Sequence, residues 1–387
     1  MKHRFLSKRY WNSIETPMGE SGDLTKAYSD LINFSLGDPD LITDERIIDG
    51  AMNDAKLGHT HYTDFFGDPE LKKEIVNYFK EDFNLDYSDK EIMVTTSGCH
   101  AMWLVLEAIL DDGDEVIIHE PYFTPYPNQI ELTRGKPVIL ETYEEEGFEV
   151  NTERLEKLIT SRTKAIIINT PNNPTGTCFS KSTIEGISII ANKYDLIVIA
   201  DDIYTSFSYN EPFIPIASLN GMKERTVTIG SFSKNFAMTG WRIGYIAAPE
   251  YMIKTIKDIN ENNVFTAPSI SQRAAIYALR MRKEINTQIV EEYKKRMMYA
   301  YERISKIPNM FSLPIRGSIY LFINIKKTGL NSNDVCERLL REAHILVLPG
   351  NAFGKCGEGY LRLAVTVNIN KLKEAFDRIE KMDIFMK

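Results

Sequence analysis

Between about residues 90 and 250 the chain alternates short apolar runs with longer amphipathic stretches. The apolar runs are EIMVTTS (91–97), EVIIHE (115–120), PVILET (137–142), AIIINT (165–170), LIVIADD (196–202), TVTIGSF (226–232) and IGYIAAP (243–249). Between them lie stretches with helical periodicity, such as AMWLVLEAIL (101–110), NTERLEKLI (151–159) and SKSTIEGISIIANKY (180–194). Short β-branched runs separated by amphipathic helices predict an α/β domain with a mostly parallel sheet, covered on both faces.

After residue 250 the pattern changes. Residues 269–306 read as helical, and EINTQIVEEYKKRMMYAYERISK within them is charged on much of its surface, the character of a helix that bridges domains. Strands YLFINI (320–325), ILVLPG (345–350) and YLRLAVT (360–366) then mix with helices SNDVCERLLREA (332–343) and NKLKEAFDRIEKM (370–382). That mixture predicts a smaller α+β domain. The opening stretch cannot form a core of its own and is expected to pack on that domain or on a neighbour. The expected division is an N-terminal arm at 1–45, a large domain at 46–275 and a small C-terminal domain at 276–387.

Composition narrows the class of function. The chain has 387 residues, 43% hydrophobic and 26% charged, enough for a large core. A net charge of -8 with dispersed Lys and Arg argues against a nucleic-acid surface, but leaves room for a small anionic ligand. No apolar run approaches the ~20 residues of a membrane helix, and MKHRFLSKRYW lacks the apolar stretch of a signal peptide. The cysteines Cys99, Cys178, Cys336 and Cys356 lack paired spacing, so reduced thiols in the cytoplasm are expected. His59 and His61 alternate as on a strand but lack companion ligands, so no metal site is expected.

Ligands in open α/β sheets sit beyond the carboxyl ends of the strands. At one such end, Ser97 and Gly98 open a helix, either as a plain cap or as a phosphate cradle of free N–H groups. At a second, Asn172, Asn173, Pro174 and Gly176 make a tight turn that could also aim an amide at a ligand. At a third, Asp201 and Asp202 end an apolar run with Tyr204 close behind, reading as a helix cap or as a carboxylate for a cationic ring nitrogen. At the fourth, Lys234 lies between Ser231, Ser233 and, eight residues on, Arg242. A desolvated lysine beside a cation has a lowered pKa and a nucleophilic amine. A phosphate, a cationic ring nitrogen, a phenolic oxygen and an aldehyde together describe pyridoxal phosphate.

Motifs spread over about residues 33–366 carry a family resemblance. SFSKNFAMTGWRIGY (231–245) matches the signature S-x-S-K-x-x-x-x-x-G-x-R-x-G, and NNPTG and D-x-x-Y precede it in the expected order. NFSLGDPD (33–40), HYTDFFGDPELKK (61–73) and PGNAFGKCGEGYLRLA (349–364) agree as well. The chain resembles class I/II aminotransferases of the aspartate aminotransferase superfamily, fold type I. The resemblance implies a mostly parallel seven-stranded sheet sandwiched by helices, with a smaller α+β domain, and it makes 46–275 the cofactor-binding domain.

The resemblance also implies roles. Lys234 would bind the cofactor's aldehyde covalently, and Asp201 its protonated ring nitrogen. Asn173 and Tyr204 would reach the phenolate oxygen, and Phe123 would stack on the ring. Ser97, Gly98, Cys99, Ser231, Ser233 and Arg242 would hold the phosphate. Arg362 would grip the substrate carboxylate, helped by the Gly37 backbone, with Asn173 beside it. Tyr62, with Thr266, would reach the phosphate of a neighbouring subunit in a homodimer with shared sites. Two stretches depart from the family pattern: Cys99-His100 is bulkier than usual, and IRGSIYLF (315–322) follows G-x-F-Y only loosely.

The implied reaction is transamination between an L-amino acid and a 2-oxo acid, in two halves. In it the Lys234 amine moves the substrate α-proton while Asp201 keeps the ring cationic. An aspartate- or aromatic-type donor and 2-oxoglutarate as acceptor are expected. An aromatic entrance of Tyr122, Phe123, Tyr126, Phe65 and Phe66 would suit aromatic substrates, although such clusters also serve plain packing. The alternative is a carbon–sulfur β-lyase on the same fold. A regulator with an aminotransferase-like sensor domain would need a long DNA-binding extension, and 32 residues precede NFSLGDPD.

Overall fold

The computed structural model describes residues 3–11 and 28–386. Residues 12–27 of the expected arm lie outside the described residues. In chain order the strands are β1 (Ile32–Asn33), β2 (Ile92–Thr95), β3 (Glu115–Glu120), β4 (Lys136–Glu141), β5 (Thr163–Asn169) and β6 (Ile197–Asp201). They continue with β7 (Thr226–Ser231), β8 (Gly244–Ala247), β9 (Tyr320–Asn324), β10 (Ile345–Leu346), β11 (Leu348–Pro349) and β12 (Tyr360–Ala364).

The apolar runs of residues 90–250 build one seven-stranded sheet in the order β2-β8-β7-β6-β5-β3-β4. Its pairings are parallel except those of β8, which runs antiparallel to both β2 and β7. Strands β2, β3 and β7 are buried along their whole length, as a sheet covered on both faces requires. One apolar layer packs Val105, Ile118, Ile167, Ile199 and Ile246 together, and the other packs Ile117, Ile168, Ile187 and Val198.

The pairing scheme explains where a ligand can sit. The carboxyl ends of β2, β5, β6 and β7 open on the same edge, and β8 starts there, with Gly244 opposite both Thr95 and Ser231. A Cβ on Gly244 would lie 2.8 Å from the Gly230 carbonyl oxygen, the Gly98 nitrogen and the Ser97 carbonyl carbon. Only glycine lets β8 pass directly beneath the start of the helix Gly98–Ile109.

Beyond this sheet, β9, β11 and β12 form an antiparallel sheet, and β1 pairs in parallel with β10. The chain from Ile32 to Phe34 therefore packs on the C-terminal elements. Tyr28 stacks on His344 at 3.9 Å, and Asp30 bonds to His344 Nδ1 at 2.7 Å. No helix among the described residues is long and apolar enough to cross a membrane.

The helical reading of 269–306 holds, while two other sequence readings need correction. The stretch 269–306 is two helices, Ser269–Arg280 and Arg282–Ile304, with the break at Met281. Arg282 fixes that break: it donates to the Leu279 carbonyl at 3.1 Å and to Glu81 and Asp82 at 2.6–2.9 Å. The run ILVLPG is split, because Ile345–Leu346 pairs with β1 whereas Leu348–Pro349 pairs with β12. His59 belongs to a turn that ends the helix Glu45–Lys56, with its N–H bonded to the Asp54 carbonyl, and His61 follows at a bend, so neither is on a strand.

Candidate active site

A cavity of about 340 Å³ opens at the shared strand ends, a volume suited to a small cofactor. Its wall carries Ser97, Gly98, Cys99, Phe123, Asn173, Asp201, Tyr204, Ser231, Ser233, Lys234 and Arg242. Gly37 joins them from the N-terminal segment and Tyr320 from β9. Twelve sequence-predicted positions, scattered from Gly37 to Arg242, thus meet around one space.

Lys234 follows β7 by three residues, and its Nζ donates to the Gly37 carbonyl. Burial lowers the amine from 10.5 to about 8; Arg362 and then Arg242 push the same way, while Asp38 opposes them. Arg242 is therefore a lesser influence than its place in the sequence motif suggests. Its guanidinium bonds to the Thr239 carbonyl at 2.7 Å, and its backbone is left-handed, with φ 53°.

Asp201 ends β6 and is buried. Its Oδ2 accepts from the Tyr126 hydroxyl, whereas its Oδ1 is buried with no protein partner. Burial pushes the carboxyl up to about 6, against the Tyr126 bond and the Ile203 N–H, which favour the anion. The helix-cap reading of Asp201 and Asp202 fails: the next turn, Thr205–Phe207, is preceded by Tyr204 and has no side-chain cap.

At the opposite wall the Ser97 hydroxyl accepts from the His100 N–H at 3.2 Å and caps the helix. The N–H groups of Gly98 and Cys99, in the first turn, have no acceptor within the helix. Ser97 itself has φ 146°, a strained setting for a residue with a Cβ. The hydroxyl of Ser231 accepts from the Ser233 N–H at 3.1 Å, which folds the turn before the lysine back on itself. N–H groups, hydroxyls, a helix N-terminus and the Arg242 guanidinium make this corner suited to an anion.

Asn172 and Asn173 divide the two readings of their turn. Asn172 Oδ1 holds the turn by accepting from the Thr175 N–H and hydroxyl at 2.9 and 2.8 Å. Asn173 lines the cavity, and its Oδ1 accepts from Arg362 Nη1 at 3.2 Å. Arg362 is fully buried behind Asn173 and Tyr320 rather than on the cavity wall itself. Its Nη2 donates to the Ser35 carbonyl, and its Nε is buried with no partner. The guanidinium lies 4.7 Å from the Tyr320 ring and 5.0 Å from the Phe353 ring. Two aromatic faces offset part of the cost of burying that charge.

Tyr62 does not reach the cavity of its own chain. It is 81% exposed and meets Phe265 edge-on at 4.8 Å, next to Thr266. The expected aromatic entrance is also divided: Tyr126 is buried beneath the site, Phe65 packs on Phe265, and Phe123 alone of the five lines the cavity.

Several site residues went unread in the sequence. Asn169 ends β5 and ties the site together: its Nδ2 donates to the Asp201 carbonyl at 2.9 Å and its Oδ1 accepts from the Asn173 N–H at 2.9 Å. Its own N–H bonds at 3.2 Å to His119 Nε2, and burial lowers that imidazole to about 4, keeping it neutral. The position of Asn169 at a strand end was the available signal. Asp38, Thr239 and Ile203 also line the cavity. Away from it, Cys356, Glu120 and Glu141 place ligand-type atoms within 4.8 Å of one another, a grouping their spacing hid.

An α/β enzyme whose cavity is lined by both a buried amine and a buried, half-satisfied carboxylate is the class that this fold and site define. The family described as aminotransferase class I and II matches residues 29–379, and the chain belongs to it. An aspartate aminotransferase of Pyrococcus abyssi is 41% identical, and aromatic-amino-acid aminotransferase 2 of Thermococcus litoralis 38%, each over 93% of both chains. The structure of an aromatic aminotransferase from Pyrococcus horikoshii matches with a TM-score of 0.89 at 38% identity, covering 93% of this chain and 97% of that one. Aspartate aminotransferase from Thermus thermophilus with maleate matches at 0.93 and 30% identity, covering 98% and 100%. The reaction class is amino-group transfer, and the carbon–sulfur lyase reading is not favoured. Members of this family use pyridoxal phosphate and act on amino acids and 2-oxo acids.

Proposed function

We propose that the protein is a pyridoxal-phosphate-dependent aminotransferase taking aspartate- or aromatic-type L-amino acids as donors and 2-oxoglutarate as acceptor. It works in the cytoplasm as a homodimer with shared sites. The carrying observation is a pair of groups lining one cavity: the Lys234 amine, bonded to the Gly37 carbonyl and lowered by burial to about 8, and the partnerless Oδ1 of Asp201.

The residues present fit the cofactor. A buried carboxylate oxygen without a partner is costly unless a cationic donor meets it, and a protonated ring nitrogen is such a donor. The corner of Gly98, Cys99, Ser97, Ser231, Ser233 and Arg242 suits a phosphate. Tyr204, Asn173 and Phe123 line the same cavity, where the first two would hold the phenolic oxygen and the third would offer a ring face. When bound, pyridoxal phosphate supplies an electron-accepting ring that stabilises negative charge at the substrate α-carbon.

The chain's own groups do the rest. Lys234 Nζ, lowered by burial to about 8 so that a usable fraction is unprotonated near neutral pH, serves as the base that takes and returns the α-proton. Asp201 stays ionised by accepting a second hydrogen bond at Oδ1. Arg362 exchanges the Ser35 carbonyl for the substrate carboxylate, a charge-assisted and two-point contact. Tyr62 and Thr266 reach the neighbouring subunit's site from the surface they share with Phe265.

The test is a donor panel against 2-oxoglutarate, with the cofactor absorbance followed through the first half-reaction. Aspartate or an aromatic amino acid should convert the chromophore and yield the matching 2-oxo acid. Pyruvate released from cystathionine, with no donor converting the chromophore, would establish the lyase instead.

A further inference from the structure

Asp201 and Tyr126 are brought together across 75 residues, in the interior beneath the cavity. We propose that Tyr126 is a positioning residue: its hydroxyl pins Oδ2 of Asp201 so that Oδ1 is presented, ionised, to the cationic ring nitrogen of the cofactor. The proposal rests on the pyridoxal phosphate reading above.

The geometry carries it. Tyr126 is 2% exposed, and its hydroxyl has the Asp201 carboxylate as partner. It lies in the first turn of the short helix Pro125–Leu132. One turn on, Gln129 Nε2 donates to the Cys99 carbonyl at 2.9 Å, so the same helix grips both the acid and the start of the anion corner. Phe123 packs edge-on against the Tyr126 ring, with centroids 5.5 Å apart, which fixes the direction of the hydroxyl. A carboxylate with one oxygen anchored and the other free can meet its ligand in one orientation only.

The groups around the carboxylate define what the hydroxyl does. Tyr126 faces it from the helix Pro125–Leu132, the Ile203 N–H, the Asp202 carboxyl and the Tyr204 phenol from the segment after β6, and the Cys99 thiol from the helix Gly98–Ile109. Of these, the hydroxyl and the Ile203 N–H favour the anion. The Tyr126 phenol is itself held protonated, far above its ordinary value, by burial and by the Asp201 charge, so it acts as the donor. Removing it leaves one stabilising contact against the full cost of burial, which shifts the carboxyl toward its neutral form. A neutral Asp201 no longer pairs with a ring cation.

The experiment measures cofactor dissociation constants for wild type, Tyr126→Phe, Asp201→Asn and the double variant across pH 6–9. It uses pyridoxal phosphate and its analogue with carbon in place of the ring nitrogen. Tyr126→Phe should weaken pyridoxal phosphate binding about 10- to 100-fold, the scale of a hydrogen bond to a charged group. The loss should shrink to less than about threefold with the carbon analogue and in the Asp201→Asn background. The acid limb of the half-reaction should move to higher pH. Equal losses with both cofactors, or no loss, would overturn the proposal and leave Tyr126 a packing residue. Wild type that takes up no pyridoxal phosphate would instead overturn the cofactor reading. Circular dichroism of the apo-protein checks folding; should Tyr126→Phe not fold, Tyr126→Met repeats the comparison without a hydroxyl.

Discussion

The hydroxyls of Tyr204 and Tyr320 stand 3.0 Å apart, one on the segment after β6 and the other at the start of β9. This contact joins the seven-stranded sheet to the C-terminal antiparallel sheet inside the cavity wall. Tyr320 also lies under Gly37, where a Cβ would come within 1.7 Å of its hydroxyl, and against the Arg362 guanidinium. Its hydroxyl therefore sets Tyr204 while its ring supports Arg362, the arginine proposed to bind the substrate carboxylate. Tyr320→Phe keeps the ring and frees Tyr204, at a cost of about 1 kcal/mol, or roughly a fivefold slower half-reaction. Tyr320→Ala removes both supports and should in addition raise the apparent KM for the amino acid. Stopped-flow absorbance over a donor concentration series separates the two effects.

Replacing the amine is the severest change. Lys234→Ala removes both the proposed covalent anchor and the proposed base, and the half-reaction should slow by about a thousandfold or more. The imine absorbance of the purified protein should vanish, while the fold, which uses the side chain only for one bond to the Gly37 carbonyl, stays intact by circular dichroism. A variant that keeps both the yellow band and its activity would contradict the assignment of the base.

The sequence carried the strands and their carboxyl-end residues because both follow from local pattern. Lys234, Asp201 and Ser97 were visible at strand ends, and a parallel sheet necessarily gathers such ends on one edge. What stayed hidden depends on contacts between distant segments. Nothing around Tyr126 distinguishes it from Tyr122, yet the former buries its hydroxyl against Asp201 and the latter packs partly exposed near Phe353. The break at Met281 has no glycine or proline to announce it, since it is made by Arg282 reaching Glu81 and Asp82. The split of ILVLPG likewise arises from which strand each half meets, and no periodicity records that.

The depressed Lys234 amine gives a pH prediction with a definite sign. A lysine whose pKa falls below its ordinary value gains its reactive, neutral form earlier as pH rises. Cofactor uptake by the apo-protein should therefore accelerate with pH and level off above about 8. Asp38 acts in the opposite sense, favouring the ammonium from the cavity wall. Asp38→Asn should shift the midpoint of the uptake profile to lower pH, and Arg362→Gln should shift it higher. Stopped-flow absorbance of imine formation between pH 6 and 10 reads both; a midpoint unmoved by either variant would mean that burial alone sets the amine.

Gly244 offers a prediction about the anion corner that touches no ligand-contacting side chain. A methyl group there meets backbone on two sides: the Gly230 carbonyl oxygen in β7, and the Gly98 nitrogen and Ser97 carbonyl carbon at the helix start, all at 2.8 Å. Backbone cannot rotate away as a side chain can, so Gly244→Ala must push the helix N-terminus off β8. The strain should destabilise the apo-protein by about 1–3 kcal/mol. Because the displaced N–H groups are those of the proposed phosphate corner, cofactor affinity should fall further than stability does. The contrast is with Gly240→Ala, which has open space around its Cβ and should change neither quantity appreciably. Thermal unfolding of the apo-protein together with fluorescence titration of pyridoxal phosphate decides it. If Gly244→Ala lost stability but bound the cofactor as tightly as Gly240→Ala, the start of the helix Gly98–Ile109 would not be where the phosphate is held.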